Sequence, residues 1–223
     1  MKLLAVCHDC RKRHLINVER RNLGNAVNDW QFKHVNHRIE YLGLNPVDED
    51  LGGYSPNADI KSAFAASSAA LTITLAALPT SATLVAGQES TAVDSTSNLY
   101  TDYLIGGKIT TGTTPTTAKT IEVWAYGEIE DAPLYPDVLD GTDSAETITS
   151  VDIKAAILRP IAIMLTDATS DRTYWFGPVP LASVFGGTLP PRWGVFVVHD
   201  TGVNLNATGS NHAIYQRGQY HTA

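Results

Sequence analysis

The sequence predicts a mainly β protein, an antiparallel β-sandwich or jelly roll preceded by a small Cys/His unit. Three observations predict it. Apolar and polar residues alternate over short runs such as Leu71-Thr72-Ile73-Thr74-Leu75 and Ile121-Glu122-Val123-Trp124-Ala125-Tyr126, the period of a half-buried strand. Turn residues punctuate the chain between those runs, at Gly106-Gly107, Thr113-Thr114-Pro115, Asp140-Gly141, Gly186-Gly187, Pro190-Pro191 and Thr208-Gly209. Both cysteines, Cys7 and Cys10, stand in a basic opening stretch unlike the rest. With 43% hydrophobic and 17% charged residues in 223, the composition is that of a globular chain and not of a disordered one.

In chain order, Lys2–Val6 and His14–Val18 read as two short strands around the Cys-x2-Cys turn, and residues 25–37 as a short helix with Val27, Trp30 and His34 or Phe32 along one face. This basic unit spans 1–45. Residues 46–58 hold two prolines, a glycine pair and the acidic run Asp48-Glu49-Asp50, which is linker chemistry. The sandwich domain spans 59–223, with strands expected at Leu71–Leu75, Ala82–Ala86, Leu99–Thr110, Thr120–Ile129, Ala162–Thr166, Arg172–Phe176, Trp193–His199 and Ala213–Tyr220. One helix is expected within it. Thr149-Ser150-Val151-Asp152 can cap a turn running to Leu158, which Pro160 would stop.

Charge divides the chain in the same way. Residues 1–45 carry eight basic against four acidic residues, and the other 178 carry eight against 19, so +4 faces −11 in a total of −7. Opposite signs suggest two structural units with different partners. No apolar run approaches the roughly 18 residues of a membrane span. The opening apolar run, Leu3–Val6, is too short for a signal peptide and is followed by Arg11-Lys12-Arg13. A Cys pair in an unsecreted chain points to metal or redox chemistry before a structural disulfide.

The strongest chemical signal is Cys7-x2-Cys10 followed by His34-x2-His37. Structural zinc takes four tetrahedral N or S ligands, and residues two apart on a turn supply adjacent corners. The expected ligands are therefore Cys7, Cys10, His34 and His37, with His14 and His8 as rivals, and the ion expected is a structural Zn2+. Metal binding would also explain how 45 residues with one Trp and one Phe fold, since it supplies folding free energy. The alternative is a reduced, metal-free pair with surface histidines. Arg11, Lys12, Arg13, Arg20 and Arg21 could meet phosphates, yet +4 is mild and a solvated face is the simpler reading. The loop carrying Asp137, Asp140, Asp143 and Glu146 lacks calcium-loop spacing and reads as a solvated acidic loop. Gly-x-Ser-x-Gly, Walker and Gly-x-Gly-x-x-Gly motifs are absent from the sequence, and His199-Asp200 alone signifies little. The reading is non-enzymatic, with no catalytic residue assigned. Tyr174, Trp175, Phe176, Phe185, Trp193 and Phe196 could form a sugar platform, but on sandwich strands such residues are more often core.

Four segments carry a resemblance. They are Tyr100–Thr116 (YTDYLIGGKITTGTTPT), Asp171–Val179 (DRTYWFGPV) with Pro191–Gly202 (PRWGVFVVHDTG), and the closing Tyr215–Tyr220 (YQRGQY). In texture and phrase they resemble β-rich structural proteins of tailed bacteriophages, over about residues 65–223. The resemblance implies a non-enzymatic building block of the virion, assembled in the host cytoplasm, that contacts capsid or tail proteins and forms homo-oligomers, a trimer among them. A head decoration or cement protein is the preferred role. A tail-associated adaptor and a receptor- or carbohydrate-binding module are the alternatives, and a small zinc protein contacting nucleic acid is the third.

Overall fold

The computed structural model describes residues 2–7, 12–17, 39–44, 61–98, 100–132 and 134–222, the first three stretches as backbone strands. The chain divides into two compact units, Met1–Ala58 and Asp59–Ala223.

The first unit contains a three-stranded antiparallel sheet of β1 (Lys2–Cys7), β2 (Lys12–Asn17) and β3 (Ile39–Leu44), in the order β2-β1-β3. Strand β2 begins at Lys12, two residues before the sequence suggested. Strand β3 lies where the sequence reading placed only the end of the unit. The helix expected over residues 25–37 lies outside the described residues.

The second unit is mainly β, as the alternation predicts. One sheet has six strands: β6 (Ala86–Glu89), β7 (Val93–Asp94), β9 (Lys119–Gly127), β10 (Ala145–Thr147), β11 (Arg159–Thr166) and β13 (Arg192–His199). Its order is β10-β6-β13-β9-β11, and β7 also pairs with β13. The other sheet has five: β4 (Lys61–Phe64), β5 (Ala69–Ala70), β8 (Asp102–Thr110), β12 (Thr173–Pro180) and β14 (Ala213–Thr222). Its order is β12-β8-β14-β4, and β5 also pairs with β14. Every pairing is antiparallel.

The two sheets share one apolar core. Ile105 and Ile109 of β8 and Ile214 of β14 meet Ile121, Val123 and Ala125 of β9 and Val195 and Val197 of β13, all fully buried. Trp193 joins them, its ring centroid 5.2 Å from that of Tyr103. A smaller second cluster forms around Tyr126, Tyr135, Leu139, Ile148, Leu158, Phe196 and Val198. Helix α1 (Val151–Ile157) adds Ile153 and Ile157 to it and buries Lys154, whose Nζ lies 2.7 Å from Glu122 Oε2 on β9 and 4.9 Å from the Trp124 ring centroid.

Helix α1 matches its expected span closely. Ser150 Oγ accepts the Ile153 N–H at 3.1 Å, and the chain turns extended at Leu158, so the helix stops before Pro160, which already lies in β11. A second short helix, α2 (Leu181–Val184), was not expected. Two expected strands change character. Leu71–Leu75 pairs with no strand, although Leu71 and Leu75 are buried and Ile73 packs on the core. Its alternation records a buried face, which an irregular segment crossing a core also produces. At Ala82–Ala86 the chain makes a turn because Ser81 Oγ accepts the N–H groups of Val85 and Ala86, delaying the strand until Ala86.

Candidate functional site: an aromatic groove on one sheet face

Alternation assigns the faces of the five-stranded sheet. In β8, Tyr103, Ile105 and Ile109 are buried, which turns Leu104, Gly106 and Lys108 outward. In β12, Tyr174 and Phe176 pack against the core and Trp175 between them faces out, 72% exposed. In β14, Ile214 enters the core and Tyr215 faces out, 46% exposed.

Register brings these outward residues together. Trp175 stands opposite Lys108 on one side of β8, and Tyr215 opposite Gly106 on the other. The two rings thus rise from strands two steps apart, on the order of 10 Å across the sheet. Gly106 puts no side chain between them, and Gly177, at φ +77°, carries the β12 backbone past Gly106 where the β12–β8 register shifts. The result is an open groove of about 320 Å³ with Leu104, Gly106, Gly107 and Pro178 along it and Trp175 and Tyr215 as walls. Arg217 of β14 also lines it, with its head group toward β4. Its Nε donates to the Ala65 carbonyl at 2.8 Å and its guanidinium lies 5.8 Å from the Phe64 ring centroid, so the cation is held in place.

The electrostatics of this face oppose those of the chain. Strands β12 and β14 contain no Asp or Glu. The sole acid of β8, Asp102, accepts the backbone N–H groups of Tyr103 and Ala182, both at 2.7 Å. On these three strands Lys108 and Arg217 therefore outnumber the one carboxylate, on a chain of net charge −7.

The expected metal ligands divide between described and undescribed residues. Cys7 ends β1, while Cys10, His34 and His37 lie outside the described residues, as does His8; His14 sits in β2 opposite Ala5. Cys7 pairs with Lys12 on one side and with Ile39 on the other, so the chain leaves and re-enters the sheet at one end there. Among the described residues no group of three or more His, Cys, Asp or Glu could hold a metal ion.

The acidic loop serves the fold. Asp143 accepts from Thr74 N–H, the Thr74 hydroxyl and the Gln88 amide, and Asp137 accepts from Thr149 N–H and its hydroxyl. Asp140 closes its own turn on Thr142. His199 and Asp200 point apart. The imidazole is fully buried against Leu78 O and the Thr201 hydroxyl, each at 3.0 Å, and burial holds its pKa below 6.5. Asp200 accepts from Thr120 N–H and Lys119 Nζ.

Of the six clustered aromatics, Trp193 and Phe196 are fully buried, and Tyr174, Phe176 and Phe185 pack on the core as expected. Trp175 is the correction. Three consecutive aromatics on a strand cannot share one face, so burying Tyr174 and Phe176 forces Trp175 outward; that signal was present in the sequence. Tyr215 escaped notice because nothing in its neighbourhood fixed the register. No protein family, curated protein or solved structure matches the chain.

Proposed function

We propose that this chain is a non-enzymatic structural component of a tailed-bacteriophage virion, a head decoration or cement protein that docks on the lattice and presents its β unit outward. The observation that carries the proposal is where the resembling segments fall. Tyr100–Thr116 contains β8, Asp171–Val179 most of β12, Pro191–Gly202 contains β13, and Tyr215–Tyr220 lies in β14. The phage-like phrases are thus three central strands, β8, β13 and β14, and the edge strand β12, and they include exposed Trp175 and Tyr215. An exposed aromatic strip on an otherwise well-packed sheet is the kind of surface that protein or ligand docking uses. Two antiparallel sheets around one core support the finer reading of the second unit as a sandwich of jelly-roll type.

In the same reading the first unit anchors. Structural Zn2+ on Cys7, Cys10, His34 and His37 would tie its loops together, and the pairing of Cys7 with both Lys12 and Ile39 supports this, since Cys10 and His37 are each two residues from those partners in sequence. A basic anchor on an acidic projecting unit suits an acidic lattice surface. A tail-tip receptor- or carbohydrate-binding module is the second reading, and the Trp175–Tyr215 groove is what favours it.

The test is gold labelling of a tagged copy on intact particles by negative-stain microscopy. Label over the head is the expected result. Label confined to the tail moves the role to an adaptor or receptor binder, and absence from particles overturns the virion reading.

A further inference from the structure

We propose that the Trp175–Tyr215 groove binds an acidic saccharide, a pyranose bearing a carboxylate or phosphate. The inference deepens the second reading above and concerns the purified protein, so it stands or falls apart from where a particle carries the label.

Three features of the groove select that class. First, the walls are flat rings on a rigid sheet. The C–H face of a pyranose is apolar while its rim is hydroxylated, and exposed Trp and Tyr satisfy such a face without burying polar groups of their own. Second, the spacing between the walls comes from missing side chains. Gly106 opens the floor, and a Cβ added there would meet the Phe176 carbonyl oxygen at 3.0 Å, so a larger residue would crowd β12 at that point. Third, cations outnumber carboxylates on these strands. Arg217 along the groove and Lys108 beside Trp175 are cations on the outward face, and the one carboxylate of these three strands, Asp102, is engaged by backbone N–H groups. The guanidinium is already positioned by Ala65 and Phe64, so little side-chain entropy remains to be lost when an anion arrives.

A neutral sugar would use the walls and leave Arg217, the cation that lines the groove, idle. An acidic peptide would need backbone partners, and the groove lies on the face of paired strands, where the N–H and C=O groups of β8 already bond to β12 and β14. The acidic saccharide uses all the features at once.

The experiment is titration of the full-length protein with sialyllactose and trigalacturonate as acidic probes, and lactose and maltotriose as their neutral counterparts, followed by saturation-transfer NMR and calorimetry. The acidic probes should bind more tightly than the neutral ones, and affinity should fall as NaCl rises from about 0.02 M to about 0.5 M. Trp175→Ala and Arg217→Gln should each weaken the acidic probes by at least about tenfold. Trp175→Tyr, which keeps a platform, should restore much of the loss. Both positions are exposed, so far-UV circular dichroism and melting temperature of the variants should match the parent. Equal binding of neutral and acidic probes, no binding of any probe, or binding indifferent to Trp175→Ala and Arg217→Gln would each overturn the proposal. So would sedimentation showing that Trp175→Ala converts an oligomer to a monomer, because the groove would then be filled by a second copy.

Discussion

Trp175 and Trp193 have the same side chain, and the strand face each occupies decides what each does. Trp193→Ala empties a fully buried site in the main core and is expected to cost about 3–5 kcal/mol. Trp175→Ala removes an exposed ring and should stay within about 0.5 kcal/mol of the parent. Urea unfolding of both variants measures this, and a large loss for Trp175→Ala would contradict its outward placement. Lys154 makes a different residue-scale case. Its ammonium reaches Glu122 Oε2 and the Leu84 carbonyl, both at 2.7 Å, and the Trp124 indole N–H donates to the same Glu122 oxygen at 2.8 Å. Lys154→Ala strands a buried carboxylate and should cost about 3–5 kcal/mol, whereas the double change Lys154→Met with Glu122→Gln should cost much less. Thermal melts of the two variants decide between a charge needed for stability and one that is only internally compensated. His212 supplies a pH dependence. Thr110 N–H donates to its Nδ1 at 3.3 Å, so the neutral ring carries its proton on Nε2 and donates to the Asn206 carbonyl at 2.8 Å. Burial first, and Lys108 nearby, hold its pKa below 6.5; His199 is depressed by burial as well. The unfolded state then binds more protons than the native one below pH 6.5, so these two groups lose stability as pH falls from 6.5 toward their folded values. Glu89 acts with the opposite sign. Burial raises its pKa above 4.5, so its contribution is lost as pH rises from 4.5 through the folded value. His212→Gln should therefore flatten the fall in melting temperature between about pH 7.5 and pH 5.5, and an unchanged slope would show that His212 does not titrate in that window.

At the scale of elements, the run Tyr174-Trp175-Phe176 shows what alternation can and cannot deliver. It fixes that one aromatic opposes its neighbours, but which one is buried depends on the pairing of β12 with β8. The same limit explains Leu71–Leu75, whose alternating pattern is genuine while its backbone joins no ladder. Helix α1 was legible because its signals are local: a serine cap at Ser150 and an extended Leu158 ahead of Pro160. Strands β4, β5, β7 and β10 were not, since runs of two to four residues are too short to carry a periodic signal. Close approach sets a further rule at Gly107, where a Cβ would overlap the Ala213 carbonyl oxygen across the β8–β14 ladder. Gly107→Ala must push the two central strands apart, and loss of the cooperative calorimetric transition is the expected result. A variant that melts like the parent would mean the ladder yields there at little cost.

For the whole molecule, the division at Ala58 and Asp59 separates a near-neutral unit, whose first 45 residues are basic, from an acidic one, and each should respond to its own perturbation. If Zn2+ holds the first unit, Cys7→Ser with Cys10→Ser should expose residues 1–45 to protease and abolish bound zinc in elemental analysis, while the main thermal transition persists. A double variant that keeps its zinc, or whose first unit resists protease as the parent does, would remove the metal from the account.

The sequence by itself determined the mainly β character of the second unit, the span and cap of α1, the course of β9, β11, β13 and β14 to within a few residues, and the burial of Trp193 and Phe196. These follow from periodicity, turn residues and size, which act over a few neighbouring positions. Only the tertiary structure decided that Trp175 and Tyr215 line one groove on either side of β8, that Lys154 lies buried on Glu122, and that Asp143 ties Thr74 to Gln88. Each of those joins residues far apart in the chain. Which strands pair, and in what register, is set by burying one common core, and no local pattern of residues encodes that choice.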